Sequence, residues 1–179
     1  TRQFRKRVRF LIRLVCGGLI AVLPSVVALR RDSASIFRGG GAPQIITNSL
    51  PVANHYASNG NVEVILSGGV IYPRLGVMVG PIANETFSRM HADYAIMGSG
   101  GITEEGITNS HNLLIDIQKE MLRAAQKVIF CLDHTKFGRR SVSFLCDLGQ
   151  VDSIITDTKA PPALLEHFSS KGIEIVLAH

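Results

Sequence analysis

The sequence has no tryptophan, only three cysteines, and charged residues at just 18% of its 179 positions. Cys16, Cys131 and Cys146 are odd in number and show no Cys-x-x-Cys spacing, so neither a disulfide framework nor a zinc site is expected. A reducing, cytoplasmic setting fits such thiols best. Uninterrupted apolar length is also missing: residues 14–29 are sixteen positions without a charge, broken by Pro24, where a membrane span needs about twenty apolar residues. Low charge is not a sign of disorder here. With 46% hydrophobic residues and 6% aromatics, the composition is that of a globular, aliphatic core. The length suits a single α/β domain.

The net charge of +5 is unevenly spread. Nine of the nineteen bases (Arg2, Arg5, Lys6, Arg7, Arg9, Arg13, Arg30, Arg31, Arg38) fall in the first forty residues beside one acid, Asp32. The remainder holds ten bases against thirteen acids, a net of −3. A mildly acidic body does not read as a nucleic-acid surface. Residues 1–41 form an atypical basic and apolar segment. A basic start, an apolar middle and small residues near Val27-Ala28 have the layout of a secretory signal. The plainer reading is a helix followed by a buried core strand. The sequence begins without Met, and its amino terminus is expected to lie further upstream.

From residue 42 strands and helices alternate. Strands are expected at 43–47, 62–66, 92–97, 128–132, 152–156 and 173–178, each a short run between turn or helix signals. Helices are expected at 50–58, where Ser49 caps and Pro51 is tolerated, at 82–90, 112–125 and 161–170. Ile82, Phe87 and Met90 are expected on the inner face of the second. Leu114, Ile117, Met121 and Ala124 share one face of the third, capped by Ser110. Residues 70–79 read as a hairpin or arm, 103–109 as a polar connection, and 142–148 as ambiguous. Repeated strand–helix units give a mostly parallel sheet with helices on both faces.

Polar residues cluster where these strands end. Residues 128–132 run into Asp133, His134, Thr135 and Lys136, just past the carboxyl end of a buried strand, which is where open α/β sheets bind ligands. Three other endings share that rim: Asn48 and Ser49; Ser67, Gly68 and Gly69; and Gly98, Ser99, Gly100 and Gly101. The glycine cluster lacks the spacing of a dinucleotide fingerprint but can turn its amides toward an anion. Small donors, glycine amides, one Lys and one His suit a polyhydroxylated anion, a phosphorylated sugar above all. The plainer readings are a surface lysine for Lys136 and a packing or exposed histidine for His134. No metal site, cofactor motif or catalytic set is indicated.

TNSLPVAN (47–54), LSGG (66–69), GP (80–81), ADYAIMGSGGITEEGIT (92–108), DHTKFGRR (133–140) and VDSIITD (151–157) together resemble the effector domain of the DeoR family of bacterial transcription regulators. The resemblance covers about residue 43 to the carboxyl terminus. It implies a ribose-5-phosphate-isomerase-like fold, sensing of phosphorylated sugars or related metabolites, and assembly into homo-oligomers. On it, residues 42–179 are the sensing domain. Lys136 serves phosphate or sugar oxygens; Asp133, His134, Asn48 and Ser99 serve hydroxyls; the backbones of Gly68-Gly69 and Gly98–Gly101 line the pocket. DNA would be contacted only through a helix-turn-helix domain that this sequence does not contain.

One departure stands out. Where the family has an Asp-x-Gly-Thr-Thr phosphate loop after its first strand, this sequence has LIAVLPS (19–25). Back-translating Ile20-Ala21-Val22-Leu23-Pro24 and reading one base earlier gives codons NAT, NGC, NGT, NCT and NCC, which permit Asp-Ser-Gly-Thr-Thr. A local frameshift within about residues 16–42 is therefore a hypothesis; synonymous bases in the coding DNA that forbid the alternative frame would sink it.

The leading expectation is a non-enzymatic, sugar-phosphate-sensing regulatory domain. An aldose–ketose phosphate isomerase is the alternative. That chemistry needs a positioned general base, usually a carboxylate. Residues 98–102 carry none, although Glu104 and Glu105 follow. An exported or membrane-anchored protein is the third reading, resting on the amino-terminal segment alone.

Overall fold

The computed structural model describes residues 27–30, 44–57 and 62–178. In chain order they form β1 (Val27–Arg30), β2 (Gln44–Thr47), α1 (Leu50–Ala57), β3 (Glu63–Leu66), β4 (Val70–Tyr72), β5 (Val77–Val79), α2 (Pro81–Ser88) and β6 (Ala92–Met97). There follow β7 (Gly101–Thr103), β8 (Gly106–Asn109), α3 (Asn112–Ala124), β9 (Ala125–Cys131), β10 (Ser143–Cys146), β11 (Ser153–Asp157), α4 (Pro162–Ser170) and β12 (Glu174–Ala178). Among the described residues no helix is long and apolar enough to cross a membrane. The expectations for residues 1–26, 31–43 and 58, the segment 19–25 among them, lie outside the described residues.

Seven strands make one sheet in the order β12-β11-β9-β6-β1-β2-β3. Pairs β2–β3, β6–β9, β9–β11 and β11–β12 are parallel, while β1 runs antiparallel to both β2 and β6. Six strands thus point one way, with one reversed strand inside the sheet. Alternation along each strand sorts side chains to two faces. Ile46, Ala95, Met97, Val128, Phe130 and Ile154 join the larger cluster with Ala83 and Phe87 of α2, Ile117 and Met121 of α3, and Phe168 of α4. Ile45, Ile96, Ile129 and Ile155 join the smaller one with Val52 and Tyr56 of α1. Helices therefore lie on both faces. Phe87, Phe130 and Phe168 are fully buried, each contributing roughly 2–3 kcal/mol by removing apolar surface from water.

The hairpin reading of 70–79 holds, and two other segments are more ordered than the sequence implied. Residues 70–79 are the β4–β5 hairpin. The polar connection after the glycine cluster is a second hairpin, β7–β8, and β10 joins it to give a small sheet β10-β8-β7. Thr103, Thr108 and Asn109 hid these strands, but Ile102 and Ile107, both fully buried, anchor them. Two residue assignments are corrected. Ile82 is 63% exposed, because Ala83 and Phe87, four apart, turn the inner face of α2 one position onward. The residue preceding α3 is His111 and not Ser110, and it makes no side-chain cap bond.

Candidate functional site

Because β2, β3, β6, β9 and β11 share a direction, their carboxyl ends stand along one edge. Thr47 lies opposite Leu66, Met97 opposite Phe130, and Ile155 opposite Cys131. The reversed strand β1 brings its first residue, Val27, to the same edge between Thr47 and Ile96. All four polar endings therefore reach one rim, but they differ in what the fold has already done with them.

At the β2–β3 end most groups are engaged. Ser49 is fully buried and its Oγ accepts the Val52 amide at 3.3 Å, capping α1. The Asn48 amide Nδ2 donates to the Met78 carbonyl at 2.9 Å, and the Met78 amide donates to the Asn48 carbonyl at 2.7 Å. That leaves Asn48 Oδ1, buried and with no hydrogen-bond partner. Gly68 and Gly69 have φ of +72° and +109°, a region that side chains rarely adopt. A Cβ on Gly69 would lie 2.7 Å from the Val79 carbonyl oxygen and 3.2 Å from the Ala83 Cβ, so this glycine lets the rim approach α2 closely.

The glycine cluster is held from behind. Gln118, fully buried on α3, donates to the Gly98 carbonyl at 3.0 Å and accepts from Asn109 Nδ2 at 2.8 Å. Asn109 Oδ1 accepts the Ser110 amide at 2.7 Å. The Gly100 amide donates to the Thr108 carbonyl at 3.0 Å, and Ser99 Oγ donates to the Gly101 carbonyl at 3.2 Å. Gly101 belongs to β7, and a Cβ there would sit 2.1 Å from the Arg139 carbonyl oxygen. This loop is wired into the β7–β8 hairpin and α3, with the Gly100 amide already spent.

The β9 end is the more open one. Asp133 caps a single 3₁₀ turn, His134–Lys136, accepting the Thr135 amide at 2.9 Å and the Thr135 hydroxyl. Partial burial pushes its carboxyl up, but the Thr135 bonds and the nearby Lys136 charge outweigh this and leave it below the ordinary range. The Lys136 side chain makes no hydrogen bond or ion pair with the described residues. His134 is partnered by Asp157, from the neighbouring end of β11. Its amide donates to Asp157 Oδ2 at 2.8 Å, and its Nδ1 lies 3.1 Å from both carboxylate oxygens. Asp157 Oδ1 also accepts the Lys159 amide at 2.8 Å. Desolvation raises the Asp157 carboxyl, yet the His134 and Lys159 amides and the His134 ring together pull it down to about 2.

Asp157, Gln118, Asn109 and Thr108 are the residues that sequence reasoning missed. Asp157 was legible as a strand ending beside Asp133; the two glutamine and asparagine partners carried no signal, since nothing in their spacing shows what they meet. Among the described residues no group of three or more His, Cys, Asp or Glu side chains could hold a metal. A shallow groove of about 200 Å³ lies at the start of α3, lined by Tyr72, Val79, His111, Leu114 and Val142 among others, and contains none of the candidate residues. Chemically, the rim offers one ammonium, one oriented imidazole and acceptor oxygens, a set for binding a polar ligand.

Residues 41–158 match the family model of the DeoR C-terminal sensor domain, and the chain belongs to that family. Curated relatives agree. The chain is 30% identical over 135 residues to the HTH-type transcriptional regulator GolR of Listeria innocua, covering 75% of this chain and 53% of the relative. It is 30% identical over 133 residues to the HTH-type transcriptional repressor GlcR of Bacillus subtilis, covering 74% and 52%. The L-fucose operon activator of Haemophilus influenzae is 27% identical over 158 residues, covering 86% and 64%. The chain thus spans about half the length of the first two relatives and somewhat more of the third.

Proposed function

We propose that residues 42–179 are the effector-sensing part of a DeoR-type transcriptional regulator and bind a phosphorylated sugar or a related metabolite at the strand-end rim. The observation that carries this is the β9 end: Lys136, whose side chain makes no hydrogen bond or ion pair among the described residues, beside an imidazole held by Asp157, at the carboxyl edge of a mostly parallel sheet. The names of the relatives, transcriptional regulators with an L-fucose operon activator among them, support it. On this reading the domain is not an enzyme and works in the cytoplasm as part of a homo-oligomer. It influences DNA through a helix-turn-helix domain outside these residues. A ligand-driven change then alters that partner domain's grip on its operator.

Thermal unfolding against a panel of pentose and hexose phosphates and the free sugars tests it. A ligand that binds only the folded state stabilises it by about 2.7 kcal/mol at a hundred times its Kd, a rise of several degrees. A selective rise with a phosphorylated sugar is expected. Cooperative unfolding that ignores the whole panel overturns the reading. The isomerase alternative is not favoured by regulators as relatives, and turnover of ribose 5-phosphate by this chain would revive it.

A further inference from the structure

We propose that Asp157 is a positioning residue for ligand recognition. By holding the Nδ1–H of His134 it presents Nε2 as a hydrogen-bond acceptor, so this ring takes a hydroxyl of the effector and not its phosphate. The inference rests on the sugar-phosphate reading above and sharpens it.

The carboxylate of Asp157 is fixed by contacts it cannot easily leave: the His134 amide on Oδ2 and the Lys159 amide on Oδ1, each at 2.8 Å. An ionised carboxylate only accepts. With Nδ1 at 3.1 Å from both of its oxygens, the ring proton belongs on Nδ1, and in a neutral imidazole the other nitrogen then keeps its lone pair. Nε2 lies across the ring from that contact and has no partner among the described residues. The His134 side chain is 39% exposed, so a ligand can reach the ring. The charged neighbours along this corner are Asp133 and Lys136 on the same turn and Asp157 itself on β11.

A second observation, at the other end of the rim, has the same polarity. Asn48 Oδ1 is buried, unpartnered and an acceptor. A buried acceptor without a partner costs free energy that a ligand donor recovers. A fully ionised phosphate has no donor to offer; sugar hydroxyls do. The two acceptors stand at strand ends separated by β6 and β1, so a single small sugar is not required to reach both; the effector class is one whose hydroxyl donates to His134 Nε2, with its phosphate served by the Lys136 ammonium or by backbone amides.

Two readouts on the whole chain test this. Long-range ¹H–¹⁵N NMR near pH 8, above the ordinary histidine range, reports the tautomer; a proton on Nδ1 and a bare Nε2 are expected. Asp157→Asn, whose amide can donate to Nδ1, is expected to move the proton to Nε2. Binding of the panel's sugar phosphates and their monodeoxy counterparts is measured in parallel. In the unsubstituted chain, loss of one hydroxyl is expected to weaken binding at least tenfold, and His134→Phe and Asp157→Asn are expected to erase that difference. Melting curves confirm that both variants fold; if Asp157→Asn does not, His134→Phe decides alone. A proton on Nε2 in the unsubstituted chain overturns the proposal, as does undiminished discrimination in His134→Phe, and in both cases the sensor reading stands if sugar phosphates still bind. Failure of the unsubstituted chain to bind any member of the panel overturns both.

Discussion

The two ends of the strand-end rim carry similar residue types and put them to different uses. At the β2–β3 end, Ser49 caps a helix, Gly69 makes room for α2, and Asn48 spends its amide on Met78. At the β9–β11 end, among the described residues, Lys136 makes no ion pair and His134 uses one ring nitrogen. Short polar side chains close to the backbone are drawn into local turns and caps. Longer ones, projecting from a 3₁₀ turn past the sheet, remain available to a ligand. A polar strand ending is therefore a candidate site only where its groups are not consumed by the fold.

This contrast can be broken or sharpened by substitution. The largest effect is expected on the glycine loop between the two ends: a Cβ at Gly101 would fall 2.1 Å from the Arg139 carbonyl oxygen. Gly101→Ala should cost about 3 kcal/mol, as overpacking against backbone does, seen as a lowered midpoint in urea unfolding. Gln118→Leu comes next. It strands the Gly98 carbonyl and the Asn109 amide in the interior and should cost about 2 kcal/mol, again read by denaturant unfolding.

The comparison itself is tested by a matched pair. Ser49→Ala should lose about 1 kcal/mol of stability with its cap and leave relative ligand preferences unchanged. Lys136→Ala should leave stability within about 0.5 kcal/mol but abolish the thermal shift given by sugar phosphates. If the two variants exchange these phenotypes, the division of the rim is wrong.

The smallest effect is in the acid limb of stability. Both Asp133 and Asp157 are held below their ordinary values, Asp157 at about 2. A carboxyl whose folded value is depressed stabilises the fold above its unfolded value, near pH 4, and loses that contribution as pH falls through the folded one. Stability should therefore decline between about pH 4 and pH 2, and Asp157→Asn should decline less steeply. Midpoints of urea unfolding across that range check it.

Residues 128–132 were legible because a short, partly β-branched apolar run bounded by polar residues fits a strand buried on both faces, and 92–97 because a glycine cluster closes it. The β7–β8 hairpin was not, because threonines and asparagine occupy its paired positions and its two anchoring isoleucines are too few to set a period. The inner face of α2 was displaced by one residue for a related reason. Ile82 is as apolar as Phe87, and only the packing partner tells which one faces in.

Composition, periodicity and the polar strand endings by themselves determined the class of fold, the common rim and the residue types gathered on it. These follow from local rules: side-chain alternation, helix starts, and the parallel direction imposed by strand–helix repetition. Only the tertiary structure decided which of those residues are spent. Gln118 reaching Gly98 across 20 positions, Asp157 meeting His134 across 23, and β1 reversed within the sheet are all contacts between distant segments. Hydrogen bonds form between groups that the packing of the core brings within about 3 Å, and sequence spacing carries no measure of that distance.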